Sequence, residues 1–150
     1  MVIKIERAQM TDVATLDRLR CDYALEMGAT AAADPGFTTR LLAEPCVRVW
    51  LARLDGEAVG FAVVMELPDA IYRATNGMMD DLFVAAKARG RGIARALIQA
   101  AIDHGRNRDW AHLRWLVPEE DQSAIALYDR IGERVGLHSY LIRIDARRSV

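Results

Sequence analysis

Between Met78 and Asp103 the chain changes its period. Met78 to Val84 ends in the strand-forming run Leu82, Phe83 and Val84. From Ile93 the apolar positions Ile93, Leu97, Ala100 and Ala101 recur at helical spacing, with Arg95, Gln99 and Asp103 on the other side. The spacing predicts a helix to His104, with Gly105 as its stop. Upstream, Val2 to Ala8 reads as a strand. A helix capped by Thr11 carries the stripe Val13, Leu16, Leu19, Tyr23 and Met27 to Gly28. Ala29 to Pro35 reads as flexible, and Thr38 to Ala43 as a short helix ended by Pro45. Val47 to Leu54 and Ala58 to Glu66 are expected strands, joined at the turn pair Asp55-Gly56.

Leu67 to Gly77 reads as a loop. Beyond the central helix, Ala111 to Val117 alternates as a strand closed by Pro118. Asp121 caps a helix bearing Ala124, Ile125, Leu127, Tyr128 and Ile131, which Gly132 stops. Leu137 to Ile144 is expected to be a last strand, and Asp145 to Val150 a polar tail. Hairpins mixed with helical crossovers predict an α/β fold with a mixed sheet and exclude a strictly alternating doubly wound one.

The 150 residues suit one domain with a sizeable core, residues 1–150. A hydrophobic content of 52% beside 27% charged residues is ordinary for a soluble protein. The net charge of −1 gives no global field for nucleic acid or an anionic membrane. No apolar run is long enough to span a bilayer, and the start lacks a signal peptide's apolar core. Cys21 and Cys46 are expected to be reduced, buried thiols, which fits a cytoplasmic protein. His104, His112 and His138 have no metal-site spacing, and no metal is expected.

The chemistry is concentrated between the central strand and helix. Lys87, Arg89, Arg91 and Arg95 crowd the helix start, and no acid lies between Asp81 and Asp103. Cations at a helix N-terminus oppose its dipole, at about 0.3–1 kcal/mol each when exposed. Free N–H groups there, with Gly90 and Gly92 admitting close approach, would hold phosphate oxygens; the competing reading is solvated surface charge around an ordinary turn.

The run Arg89-Gly90-Arg91-Gly92-Ile93-Ala94 resembles the Arg/Gln-x-x-Gly-x-Gly/Ala signature of the GNAT superfamily of acetyl-CoA-dependent N-acetyltransferases. Asp80-Asp81-Leu82-Phe83-Val84 resembles the strand entering that loop, and Ala124 to Asp129, with Leu127 and Tyr128, the later helix. The resemblance covers essentially the whole chain and is strongest from Met78 to Gly132. It implies a single domain whose central strands splay apart to admit acetyl-CoA. Backbone N–H groups from Arg89 to Ala94 would take the pyrophosphate, and Leu82, Phe83 and Val84 would pair with the pantetheine arm.

By the same resemblance Tyr128 is the candidate acid for the departing sulfur, against the plainer reading of an aromatic core residue. Asp80 is the candidate base or amine-orienting group, where polyamine-type relatives carry glutamate. The competing reading has it ending a turn after Asn76-Gly77. Strand alternation sets Asp80, Leu82 and Val84 on one face, and Asp81 and Phe83 on the other. One carboxyl must then meet apolar neighbours, which raises its pKa.

Asp121 stands where the family commonly has Asn. It caps first, with cofactor contact second. Gly132-Glu133 replaces the frequent Gly-Phe and resembles a subgroup acting on polyamines, small amines or basic protein tails. Glu26, Glu66, Asp69 and Tyr72 would lie on the acceptor side. The implied acceptor is a primary amine of a small molecule or basic peptide, cationic in solution, and homodimers are common in the family. The alternatives are a coenzyme A-binding regulator without turnover and a nucleic-acid binder using the basic helix. The near-neutral charge argues against the second.

Overall fold

The computed structural model describes residues 1–144, and the expected tail at Asp145 to Val150 lies outside them. The chain divides into two compact units at Trp115/Leu116. The first holds β1 (Ile3–Arg7), α1 (Val13–Glu26), α2 (Pro35–Ala43), β2 (Val47–Leu54), β3 (Glu57–Asp69), β4 (Ala74–Val84), α3 (Ile93–Asn107) and β5 (Trp110–Trp115). The second contains α4 (Gln122–Ile131).

The sheet order is β1-β2-β3-β4-β5. The first four strands run antiparallel in sequence, and β5 joins β4 in parallel after the α3 crossover, so the sheet is mixed as expected. Odd-numbered β2 and β3 residues face one way. Val49, Leu51, Phe61 and Val63 form a buried core with Leu16 and Leu19 of α1. Even-numbered residues face α3, as in the 5.5 Å ring contact of Trp50 with His104. A sheet covered on both faces explains why β3 reads as a nearly unbroken apolar run.

Several boundaries differ from expectation for identifiable reasons. Thr11 does not cap α1; it lies in a 3₁₀ turn, Met10–Asp12, in which the Asp12 carboxylate accepts from the Gln9 N–H at 2.9 Å. Asp34 and Pro35 begin α2 three residues before the expected start. The Asp34 side chain accepts from Phe37 N–H at 2.8 Å, and Pro35 suits the first helical turn. The expected loop from Leu67 to Gly77 is largely strand, because β3 and β4 pair as far as Asp69 and Ala74.

Gly105 does not stop α3. It lies buried inside the helix, where a Cβ would come within 2.6 Å of the Trp110 ring. Its role is to let β5 approach. Cys21 and Cys46 are free thiols, but neither is buried as expected: Cys21 is half-buried and Cys46 exposed. In the second unit Asp121 caps α4 as expected, accepting from Ala124 N–H at 3.0 Å. The last expected strand, Leu137 to Ile144, has no regular structure; alternation makes a strand only where an edge pairs with it.

Candidate active site

A bulge in β4 organises the site. Val63 stands opposite Asp81 and Val64 opposite Met79, so Asp80 has no residue opposite it on β3. Before the bulge Met79 shares the α3 face with Val64. After it, Asp81 and Phe83 share the α1/α2 face with Val63 and Phe61. Simple alternation, which separates Asp80 from Asp81, therefore fails here. Both carboxyl groups line one pocket.

The pocket has a volume of about 170 Å³ and lies on the α1/α2 face of the sheet. Tyr23 of α1 and Phe37 and Leu41 of α2 form its outer wall, and Phe61, Val63 and Met65 of β3 its floor. Tyr23 packs against Phe83 and Phe61 at ring separations of 5.3 and 6.0 Å. The α2 wall is anchored by buried Asp17 of α1, which accepts from Thr38 Oγ1 at 2.7 Å and Asp34 N–H at 3.0 Å. Arg20 also lines the pocket, but its guanidinium is paired with Asp17 and bonded to the Ala32 carbonyl.

Among the described residues, Asp80 and Asp81 have no hydrogen-bond or ion-pair partner. Asp80 is exposed. Burial, reinforced by the neighbouring Asp80 charge, pushes the Asp81 carboxyl up to about 6. The expected perturbed carboxyl exists, and it is Asp81.

Glu66, expected on the acceptor side, faces α3 instead. It accepts from His104 Nε2 at 2.8 Å and pairs with Arg48 at 3.2 Å. Burial pushes its carboxyl up, but the His104 hydrogen bond and the Arg48 and Arg108 charges outweigh this and hold it below its ordinary value. Asp69 accepts from the N–H groups of Ile71 and Tyr72, closing the β3–β4 turn.

A second feature lies at the other end of β4. Pairing with β5 runs from Thr75/Trp110 to Met79/Trp115, and Asp80 to Val84 continue beyond it with no strand on that edge among the described residues. The loop then leads to α3. Gly90 and Gly92 have φ of +73° and +80°, a conformation that L side chains resist, and a Cβ on either would meet nothing within 4 Å. Gly92 is the N-cap of α3. The first turn of α3 thus has no side-chain cap and no acid at the positive end of the helix dipole.

The basic cluster is only partly free. Arg89 donates Nε–H to the Val84 carbonyl at 2.9 Å and pairs with Glu26, while Lys87 pairs with Glu57. Arg91 and Arg95 have no carboxylate partner among the described residues. No group of three His, Cys, Asp or Glu among the described residues is placed to hold a metal, and none of their helices is long and apolar enough to cross a membrane. Tyr128 lies half-buried in α4, where its carbonyl accepts from Gly132 N–H. The wall residues Phe37 and Leu41 escaped sequence reasoning. Their signal was the Asp34-Pro35 helix start followed by apolar residues four apart.

Residues 13–132 match the model of the acetyltransferase (GNAT) family. The chain belongs to that family. A crystal structure of a ribosomal-protein-alanine N-acetyltransferase from Brucella melitensis biovar Abortus 2308 superposes with a TM-score of 0.85 at 28% identity, covering 96% of this chain and all of that one. An aminoglycoside acetyltransferase from an uncultured soil sample gives 0.85 at 25% identity, covering 97% of this chain and 100% of its own.

Streptothricin acetyltransferase of Streptomyces lavendulae is 38% identical over 80 residues, 52% of this chain and 39% of that protein. A probable N-acetyltransferase family 8 member of Mus musculus is 28% identical over 119 residues, 79% of this chain and 51% of its own. The chain thus spans about half the length, or less, of these curated relatives. The GNAT relatives share a fold but differ in the acceptors their names specify.

Proposed function

We propose that this GNAT protein transfers an acetyl group from acetyl-CoA to a primary amine, with both units belonging to one transferase domain. The family match runs across the boundary between the units. The observation that carries the reading is the pairing of an open β4 edge with an uncapped α3 start, a strand template followed by an anion nest. That pair fits a ligand whose amide-bearing arm ends in a pyrophosphate. Acetyl-CoA supplies the activated thioester.

The chain's residues then have three tasks. The amides from Arg89 to Ala94 hold phosphate oxygens, assisted by Arg91 and Arg95; Arg89 itself is turned toward Val84 and Glu26 and stiffens the loop. Backbone along Leu82 to Val84 aligns the thioester. The carboxyl pair receives the ammonium proton, with Asp81 as the group whose affinity for a proton is raised.

The neutral nitrogen forms an N–C bond as the C–S bond breaks. The nitrogen sheds one proton and the sulfur gains one, which Tyr128 donates and regains. Asp121 retains its cap, and its carboxylate offers no donor to the cofactor arm. Free Cys21 and Cys46 suit a reducing compartment such as the cytoplasm.

The direct test combines melting with and without acetyl-CoA and thiol release over a panel of amines. At a hundredfold excess over the dissociation constant, acetyl-CoA should stabilise the fold by about 2.7 kcal/mol. No melting shift at millimolar acetyl-CoA, or no thiol release with any amine, overturns the proposal.

A further inference from the structure

We infer that the acceptor is a small primary amine bearing one apolar group of about phenyl or hexyl size, held with its ammonium at Asp80 and Asp81 and its apolar group in the α1/α2 pocket. The inference rests on the transferase reading above and specifies its substrate.

Three observations converge. First, the pocket's walls are apolar; its one cation, Arg20, is already neutralised by Asp17 and turned to the Ala32 carbonyl. Beside Arg20, the only other polar side-chain groups of the lining are the Tyr23 hydroxyl and the two carboxyls. Second, its volume of about 170 Å³ resembles that of an apolar cavity of roughly 150 Å³ known to accept benzene. One ring or short alkyl chain fills it. Third, the unpaired charge is confined to adjacent residues, because the bulge turns Asp80 and Asp81 to the same pocket.

A single ammonium answers that pair, and relieves the repulsion between the carboxylates. A polyamine or aminoglycoside presents several ammonium groups, and the lining holds no further acid to receive them. Buried polar groups without partners bind poorly. The wall is also firm: Asp17 ties Thr38 and the start of α2 to α1, so the pocket is shaped before a ligand arrives.

The test uses the whole chain with fixed acetyl-CoA and reads kcat/KM by thiol release. The acceptors are ethylamine, butylamine, hexylamine, phenethylamine, spermidine, an aminoglycoside and a peptide with N-terminal alanine. Each buried methylene should add up to about fourfold, so hexylamine and phenethylamine should exceed ethylamine by roughly a hundredfold. Leu41→Trp, which narrows the pocket from α2, should lower the hexylamine-to-ethylamine ratio at least tenfold.

A flat response to chain length, or preference for spermidine, the aminoglycoside or the peptide, overturns the inference while leaving the transferase reading standing. The absence of either an acetyl-CoA melting shift or thiol release with any amine removes the transferase reading and this inference with it. The wild-type series decides the matter even if Leu41→Trp does not fold.

Discussion

Arg89 at the head of the glycine loop reaches back to Glu26 in the last turn of α1, while its Nε–H holds the Val84 carbonyl at 2.9 Å. One side chain therefore links the end of β4, the glycine loop and the helix that walls the pocket. Position in the signature pointed to a phosphate ligand; geometry makes Arg89 a brace as well.

Arg89→Ala should cost about 1–2 kcal/mol in urea unfolding, nearly all of it from the carbonyl bond. The Glu26 pair is half-exposed on both sides and adds little. Glu26→Gln should cost less than about 1 kcal/mol. Calorimetric acetyl-CoA affinity should fall in Arg89→Ala and hold within about threefold in Glu26→Gln. Equal losses in both would mean that the ion pair, not the carbonyl bond, shapes the loop.

Asp81→Asn should stabilise the protein at neutral pH. The native carboxyl is raised from 3.8 to about 6, so between these values the folded protein holds a proton that the unfolded chain has released. Stability therefore falls as pH rises through that window, by up to about 3 kcal/mol. The asparagine variant should lack this slope and melt higher than wild type above pH 6, while turnover falls. Identical pH–stability curves would show that Asp81 is not desolvated.

Asp80 contributes to that shift after burial does. If Asp81 receives the proton, the acidic limb of kcat/KM should lie near pH 6, and Asp80→Asn should move it down. The limb staying in place with a uniform loss of rate would make Asp80 a positioning group for the ammonium.

Tyr128→Phe should lower turnover about a hundredfold and leave acetyl-CoA affinity unchanged, since only the proton for the departing sulfur is removed. Single-turnover kinetics isolates the chemical step. Wild-type rates in that step would return Tyr128 to a packing role.

Gly105→Ala sets two effects against each other. Alanine favours a helix interior by about 0.8–1.0 kcal/mol, but its Cβ would press within 2.6 Å of Trp110, and overpacking costs about 1–3 kcal/mol. Because the obstacle is a ring wedged between α3 and β5, net destabilisation is expected in urea unfolding. A stabilised variant would mean that Trp110 can move aside.

Local pattern alone determined a good deal. The span Val47–Leu54, the start of α3 at Ile93 and the Asp121 cap all follow from residues within a few positions of one another. So did the glycine loop, because φ above zero and an uncapped helix start are properties of a short segment. What needed tertiary structure was whatever depends on a partner distant in sequence. Glu26 and Glu57 neutralise cations that look free in the sequence; Trp110 makes Gly105 an interior residue; and Leu137 to Ile144 alternates without pairing. The deciding case is Asp80-Asp81. Alternation assigns them to opposite faces, and only the register of β4 against β3 reveals the extra residue that turns both toward one pocket. A bulge is a mismatch between two strands, so neither strand's sequence alone contains it.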